Sequence, residues 1–440
     1  MHIVIIGNGI SGITAARYLR KYSKHSITVI SSESKYFFSR TALMYIYMGH
    51  MNFEQTQPYE NDFWEKNNIQ LVHDYVKQVV PQQKALFLQD QETPIHYDKL
   101  IIATGSKPKY APWKGKELKG VQGLYSHQDL IQMEKASHQL KHAVITGGGL
   151  IGIEMAEMFR SRNISVSLLV RDAHYWGSVL PPEEARIIEK EIRRHHIDLQ
   201  LSTELKSIQG NPQQEVISIT TNHNKTINCG FVGVTIGVTP NIDFLQDSGI
   251  ALDKGILVNT YFETNQEDIY AIGDCAQFTE PIDGRKPIEQ VWYTGRMHGE
   301  TLAYSLIHKK TAYTPGPWFN SAKFFDIEYQ TYGKVSPAPL ENEESIYWES
   351  SDAKKCIRIA YERDTLKLLG INLLGIRYRH ELCHQWIKQG ASLPEILPQL
   401  EKANFDPEFS SKHENEVIAL FQEKFPHIPL KKKKRFAFWK

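Results

Sequence analysis

Apolar residues fall in short unbroken runs along this chain, each followed by a different rhythm. His2 to Ile6 (HIVII) is such a run, and it stops at a glycine-rich turn. Beyond the turn, Ile13, Ala15, Ala16 and Leu19 recur at helical spacing, and SITVI (26–30) is an apolar run again. The same order returns with Ala143 to Thr146, a second glycine turn, a helical stretch from Leu150, and SVSLLV (165–170). Continuous apolar runs mark strands buried on both faces, as in parallel sheets covered by helices. Two such strand–turn–helix–strand units, beginning about 140 residues apart, predict an α/β chain with an internal repeat. Further on, DIYAIGD (268–274) reads as a buried strand that stops at Gly-Asp. IEQVWYTGRMHGETLAYSL (288–306) follows as a helix, with Gly295, Gly299, Ala303 and Leu306 at helical spacing. Helices are expected again around 393–403 and 413–424.

The glycine turns carry the chemistry. Gly7, Gly9 and Gly12 form G-x-G-x-x-G directly after a strand, and Ile10 and Ser11 open the helix. Gly7 permits the tight turn, Gly9 lets backbone approach a pyrophosphate, and Gly12 packs helix against strand. The helix N-terminus offers unpaired N–H groups and partial positive charge to phosphate. Glu33 closes the next strand about 20 residues on, where an acid meets the ribose hydroxyls of a dinucleotide. The plain alternative is a Gly-rich strand–helix turn without a ligand.

Gly147, Gly149 and Gly152 repeat the pattern, with Leu150 and Ile151 between them. Where an acid would mark NAD, the chain reads Val170-Arg171-Asp172. An arginine there accommodates the 2′-phosphate of NADP, so the reading leans slightly to NADP over NAD. Asp172 either neutralises Arg171 or contacts a ribose itself, and a solvated loop cation is the ordinary alternative. Two complete units suggest two bound dinucleotides.

Composition narrows the picture only a little. The 440 residues carry a net charge of +1, with 41% hydrophobic and 23% charged residues, an ordinary balance without support for nucleic acid as main partner. A strand begins at residue 2, so no signal peptide is read, and no apolar run reaches the ~20 residues that span a bilayer. A cytoplasmic location is the default expectation. Four cysteines (Cys229, Cys275, Cys356, Cys383) are scattered with no C-x-x-C pair, which fits a reducing compartment.

At this point the chain resembles the two-dinucleotide flavoproteins, the pyridine nucleotide-disulfide reductase superfamily. YDKLIIATGSKP (97–108) is similar to the strand and A-T-G turn that close an FAD site, with Ala103, Thr104 and Gly105. TIGVTPN (235–241), with Gly237, is similar to the turn leaving a nicotinamide domain. GILVNTYFETNQEDIYAIGDCAQ (255–277) is similar to the second FAD signature, whose Gly273-Asp274 pair touches flavin ribitol and pyrophosphate. Independently of the resemblance, Asp274 can hydrogen-bond ribitol hydroxyls or simply cap a helix. The resemblance also implies FAD contacts at Val76, Gln290 and Val291, the last two where a helix start faces the flavin pyrimidine edge. It implies two Rossmann-like dinucleotide-binding domains, the FAD domain interrupted by the NAD(P) domain, and then a smaller α+β domain. The expected boundaries are 1–115 and 245–312 for FAD, 116–244 for NAD(P), and 313–440 for the C-terminal domain with its basic tail.

SESKYFFSRTALMYIYMG (32–49) separates branches of the family. Disulfide reductases and cysteine-dependent peroxidases carry a redox cysteine near here, and this stretch has none. SESKYFFSRTAL is similar instead to a stretch of rubredoxin reductases and of the flavin domain of nitrite reductases, with Ser39-Arg40 matching. Arg40 then pairs with FAD pyrophosphate or lies near the isoalloxazine; a surface arginine is the alternative. Related ferredoxin reductases pair a lysine with a glutamate on the second glycine helix. Glu154 matches the glutamate, whereas Tyr45 stands near the lysine position. Glu154 binds the nicotinamide carboxamide or only solvates the first helical turn. PGPWFNSAKFFDIEYQTYG (315–333) is similar to the entry of the ferredoxin-reductase interface domain, with Asn320 in place of its second tryptophan.

Two features point elsewhere. HELCH (380–384) satisfies a zinc-protease pattern, but Arg377 and Arg379 crowd it and no third ligand follows. An amphipathic helix burying Leu382, Cys383 and Trp386 is the expectation, with no metal site. RRHHIDLQ (193–200) reads as a helix end and a strand. PLKKKKRFAFWK (429–440) is a basic run that suits an acidic partner or membrane surface, or a solvated terminus. The expected function is FAD-dependent NAD(P)H oxidoreduction that delivers electrons to a ferredoxin- or rubredoxin-like carrier, with a homodimer open as the chain's assembly. The alternative is a nucleotide-binding flavoprotein that senses redox state or assembles with a partner and turns over slowly.

Overall fold

The computed structural model describes residues 1–406, 408 and 412–430. Most of the basic run, residues 431–440, lies outside the described residues. The chain forms two compact units: Met1–Gly147 with Met158–Ser165 and Leu205–Pro315, and Gly148–Glu157 with Val166–Glu204 and Gly316–Lys440. No helix among the described residues is long and apolar enough to cross a membrane.

The first unit is built around a five-stranded parallel sheet. Its order is Ile269–Ala271, Lys99–Ile102, His2–Ile6, Ser26–Ser31, Ile69–His73. HIVII sits in the middle, with Ile3, Val4 and Ile5 fully buried, as its unbroken apolar run requires. Helix Ile10–Tyr22 buries Ala15, Ala16 and Leu19 in the same core. Helix Trp292–Ile307 lies against it at very short range. A Cβ on Gly299 would stand 2.6 Å from the Ser11 carbonyl, and one on Gly295 would stand 2.6 Å from Ser11 Oγ. The small residues at helical spacing are therefore what let the two backbones meet. Val76–Val80, Ala85–Leu88 and Ile95–His96 form an antiparallel ribbon beside the sheet core. The same unit holds the parallel strands Val121–Gln122, Phe231–Val234 and His142–Thr146.

In the second unit, Ser165–Leu169 pairs in parallel with Asp198–Gln200. Helix Pro182–Arg194 starts with Pro182, Glu183 and Glu184 and ends with Arg193 and Arg194, charges that match the helix dipole at both ends. The C-terminal portion is a five-stranded antiparallel sheet in the order Phe319–Phe324, Ile327–Gly333, Leu368–Leu374, Cys356–Glu362, Glu343–Glu349. Helices His380–Lys388 and Glu414–Lys424 share its apolar core, and Cys383 and Trp386 are buried there as the amphipathic reading of HELCH expects. Arg358 ties sheet to helix. Its Nε donates to Glu184 Oε1 at 2.7 Å, its Nη2 to Glu183 Oε2 at 2.9 Å, and Asn372 Nδ2 donates to the second Glu184 oxygen at 2.8 Å. His195, at the end of this helix, stacks on Phe325 and bonds Glu191 at 3.0 Å, while Arg194 holds the other Glu191 oxygen at 3.2 Å.

Candidate dinucleotide sites

The first glycine turn is shaped by contacts that admit no side chain. Gly7 has φ +108°, and a Cβ there would lie 2.1 Å from the Ala103 carbonyl. A Cβ on Gly12 would lie 2.0 Å from the Gly7 carbonyl. Gly9 differs: no atom lies within 4 Å of where its Cβ would be. Two glycines are thus required by the fold, and the third faces space. The helix that follows has no side-chain cap and no acid in its first turn, so its N–H groups and positive end are directed at that space.

Around this turn the unit gathers polar side chains from distant segments. Glu33 accepts from Arg40 Nη1 at 2.9 Å and Nη2 at 2.6 Å, and from the His127 N–H at 2.9 Å. Arg40 thus rests on Glu33, in the two-pronged geometry that guanidinium and carboxylate favour. Asp274 follows Gly273, whose φ is +74° and whose Cβ would lie 2.3 Å from Ser11 Oγ. Burial pushes the Asp274 carboxyl up, while hydrogen bonds from Ser106 Oγ (3.2 Å) and Tyr125 Oη (3.3 Å) pull it down. Gln290 Nε2 donates to Ser106 Oγ at 2.8 Å, which brings the predicted residue to the same carboxyl cluster. Val291 is the N-cap position of the next helix. Ala103 is buried, Thr104 Oγ1 bonds the Asn241 carbonyl at 2.8 Å, and Gly105 (φ +68°) lies under the Tyr125 hydroxyl. The Val76 side chain belongs to the core and its backbone pairs with Leu88. Tyr45 stacks on His50, with ring centroids 6.0 Å apart, and makes no bond to this cluster. An open cradle at Gly9, a helix end without an acid and a buried carboxyl among hydroxyls together fit a dinucleotide with a polyol chain.

Three residues in this region escaped the sequence reading. Ser106 directly follows the A-T-G turn, and its position was the only available signal. Tyr125 precedes a capping box, Ser126 with Asp129, that announces a helix start and nothing more. His298 is a lone histidine in an apolar helix. It is fully buried among Phe262, Phe278 and Tyr313, and its Nδ1 accepts the Gly273 N–H at 3.1 Å. Burial, with Arg285 adding to it, pushes His298 down to about 3, so it acts as a neutral acceptor.

The second glycine turn repeats the division of labour. Gly147, in the first unit, has φ +126°, and a Cβ would lie 2.2 Å from the Thr235 carbonyl. Gly237 has φ +121° and open space beside it. In the second unit, a Cβ on Gly148 would lie 2.9 Å from Val170 Cγ1, whereas Gly149 has nothing within 4 Å. Gly152 is buried, and Leu150 and Ile151 are part-exposed at the helix start. Tyr175 Oη donates to the Gly149 carbonyl at 2.9 Å. Arg171 is largely exposed, with its Nε 3.4 Å from Asp172 Oδ1. Glu154 has no hydrogen bond or ion pair among the described residues. Burial pushes its carboxyl up to about 7, with like charge from Glu157 one turn on adding to the effect. Within the second unit, the open space at Gly149 also suits a dinucleotide pyrophosphate.

All four cysteines are buried free thiols. Burial pushes them up, to about 11 for Cys275 and about 12 for Cys229 and Cys383, so none is a poised thiolate.

Comparison with known proteins agrees with this geometry. The family profile described as "Pyridine nucleotide-disulphide oxidoreductase" matches residues 1–299. The assimilatory nitrate reductase electron transfer subunit of Bacillus subtilis is 27% identical over 422 residues, covering 94% of this chain and 53% of that protein. The chain therefore spans about half the length of that relative. The rubredoxin-NAD(+) reductase of Acinetobacter baylyi is 30% identical over 285 residues, covering 63% of this chain and 72% of that protein. Among solved structures, the covalent putidaredoxin reductase–putidaredoxin complex superposes with a TM-score of 0.78 at 20% identity, covering 95% of this chain and 98% of that one. That last likeness speaks to fold.

Proposed function

Because this chain belongs to the pyridine nucleotide-disulphide oxidoreductase family, we propose that it is an FAD-dependent NAD(P)H oxidoreductase that hands electrons to an external carrier. One observation carries the reading. Two glycine turns each leave open space at the middle glycine, Gly9 and Gly149, while Gly7, Gly12 and Gly147 are locked by backbone. Bound FAD would take a hydride from NAD(P)H and release electrons one at a time. The chain's own residues do the holding. Gly9 and the N–H groups of Ile10 and Ser11 receive pyrophosphate, Glu33 the adenosine ribose, and Asp274 the ribitol hydroxyls. Gly149, Leu150 and Ile151 receive the second pyrophosphate, with Arg171 at the 2′ position and Glu154 toward the carboxamide. Val170 is buried against Gly148 where an acid would accept a 2′,3′-diol, which favours NADPH.

The buried cysteines support an external acceptor over an internal dithiol. The relatives' names, rubredoxin reductase and nitrate reductase electron transfer subunit, support an iron–sulfur or rubredoxin-like protein in that role. We assign residues 1–115 and 245–312 to the flavin side, 116–244 to the nicotinamide side and 313–440 to the C-terminal domain. A cytoplasmic location, a homodimer and an acidic partner for the basic tail belong to the same proposal. Anaerobic stopped-flow mixing with NADH and NADPH tests it. Fast flavin bleaching, faster with NADPH, followed by fast reoxidation by a rubredoxin or ferredoxin is expected. Bleaching over many minutes with both nucleotides would make the protein a sensor instead.

A further inference from the structure

The segment YSHQD (125–129) places one tyrosine with unusual economy. Ser126 Oγ accepts the Asp129 N–H at 3.0 Å, and Asp129 Oδ2 accepts the N–H groups of Ser126 (2.8 Å) and Tyr125 (2.9 Å). The capping box therefore fixes the backbone of Tyr125 as well as the helix start. Every polar group of Tyr125 is then used. Its carbonyl accepts from Arg40 Nη1, and its ring carries the Arg40 guanidinium, 4.5 Å from the centroid. Its hydroxyl accepts the Ser106 N–H at 2.9 Å and donates to Asp274 Oδ2 at 3.3 Å.

We infer that Tyr125 is a positioning residue of the flavin site, bracketing Arg40 and Glu33 on the adenosine side to Asp274 on the ribityl side. This rests on the reading of the first glycine turn as an FAD site. Two physical arguments support it. Among the described residues Arg40 pairs with no carboxylate but Glu33, and the Tyr125 ring and carbonyl, with the Phe38 ring 5.3 Å away, complete its seat. Asp274 is buried and needs donors, and Tyr125 supplies one of the two it has. The hydroxyl stays protonated, because burial raises it far above its ordinary value, with Asp274 adding to the effect. The bracket ties the two ends of the site through one side chain, which neither glycine signature encodes.

The test uses the full chain stripped of flavin. FAD affinity is read by quenching of flavin fluorescence, and ADP affinity by its competition against FAD loading. Tyr125→Phe keeps the ring under Arg40 and removes the two bonds of the hydroxyl, to Asp274 and from the Ser106 N–H. It should weaken FAD by about 10-fold and leave ADP within about twofold. Tyr125→Leu removes the ring beneath Arg40 as well and should weaken both. The near-ultraviolet circular dichroism of the bound flavin should change in Tyr125→Phe if the ribityl end shifts. Unchanged FAD affinity in Tyr125→Phe, or equal weakening of FAD and ADP, would overturn the inference; the second result would mark a general packing role. If Tyr125→Leu does not fold, Tyr125→Phe decides alone. Wild-type protein that takes up no FAD would instead sink the flavin reading, a separate outcome.

Discussion

Glu154→Gln separates an unpaired carboxyl from a paired one. In the native protein Glu154 sits half-buried in the helix after the second glycine turn. Its carboxyl is pushed from 4.5 to about 7, first by burial and then by Glu157. That difference corresponds to about 3 kcal/mol of penalty on the ionised form. Residual solvent trims the effect on stability to about 1–3 kcal/mol. The folded value lies above the unfolded one, so the carboxyl costs nothing below about pH 4.5, and the penalty grows as pH rises through 7. Glutamine keeps the shape and never ionises. The variant should therefore match wild type in urea unfolding at pH 4.5 and be more stable by about 1–3 kcal/mol at pH 8. A stability gap equal at the two pH values, or a less stable variant at pH 8, would show that something holds the carboxylate and would refute the reasoning. NADPH titrations of the same proteins report function: wild-type affinity should change between pH 6 and 8, and the variant's should not.

Other outcomes follow from the same geometry. Gly9→Ala should fold like wild type, because its Cβ meets nothing, yet bind flavin weakly; Gly12→Ala should fail to fold stably, because its Cβ meets the Gly7 carbonyl. Visible absorbance and thermal unfolding distinguish the two. Arg358→Met leaves Glu184 buried with Asn372 alone and should cost about 3–5 kcal/mol in denaturant unfolding. Adding Glu184→Gln should restore most of that loss, and a double variant no better than the single would refute the pairing. His298 must shed its proton to be buried, so it contributes stability above pH 6.5 that is lost as pH falls toward 3, by about 1 kcal/mol per pH unit. His298→Gln should flatten that acid limb; an unchanged slope between pH 6 and 4 would place the acid sensitivity elsewhere.

Much of this was legible in the chain itself. The strand–turn–helix units were, because unbroken apolar runs and glycines at fixed spacing are local requirements of backbone packing. Gly7, Gly12 and Gly147 stand where no Cβ fits, and Gly9 and Gly149 face open space. Helix 292–307 was legible for the same reason, its small residues meeting the first helix. Arg40 was picked out from a family stretch, but its attachment to Glu33 was not, since either residue alone has many partners available in water. Tyr125, Ser106 and His298 had no signature. Each works through a partner over a hundred residues away or on another element, and single-residue propensities do not encode such pairs.

Sequence alone thus determined the two glycine-turn units, because steric exclusion at a glycine acts within a few residues and leaves a spacing that can be read. Tertiary structure alone decided which polar groups meet above them. Hydrogen bonds and burial depend on distance in space, and only folding brings Glu33, Arg40, Tyr125 and Asp274 to one place or leaves Glu154 without a cation.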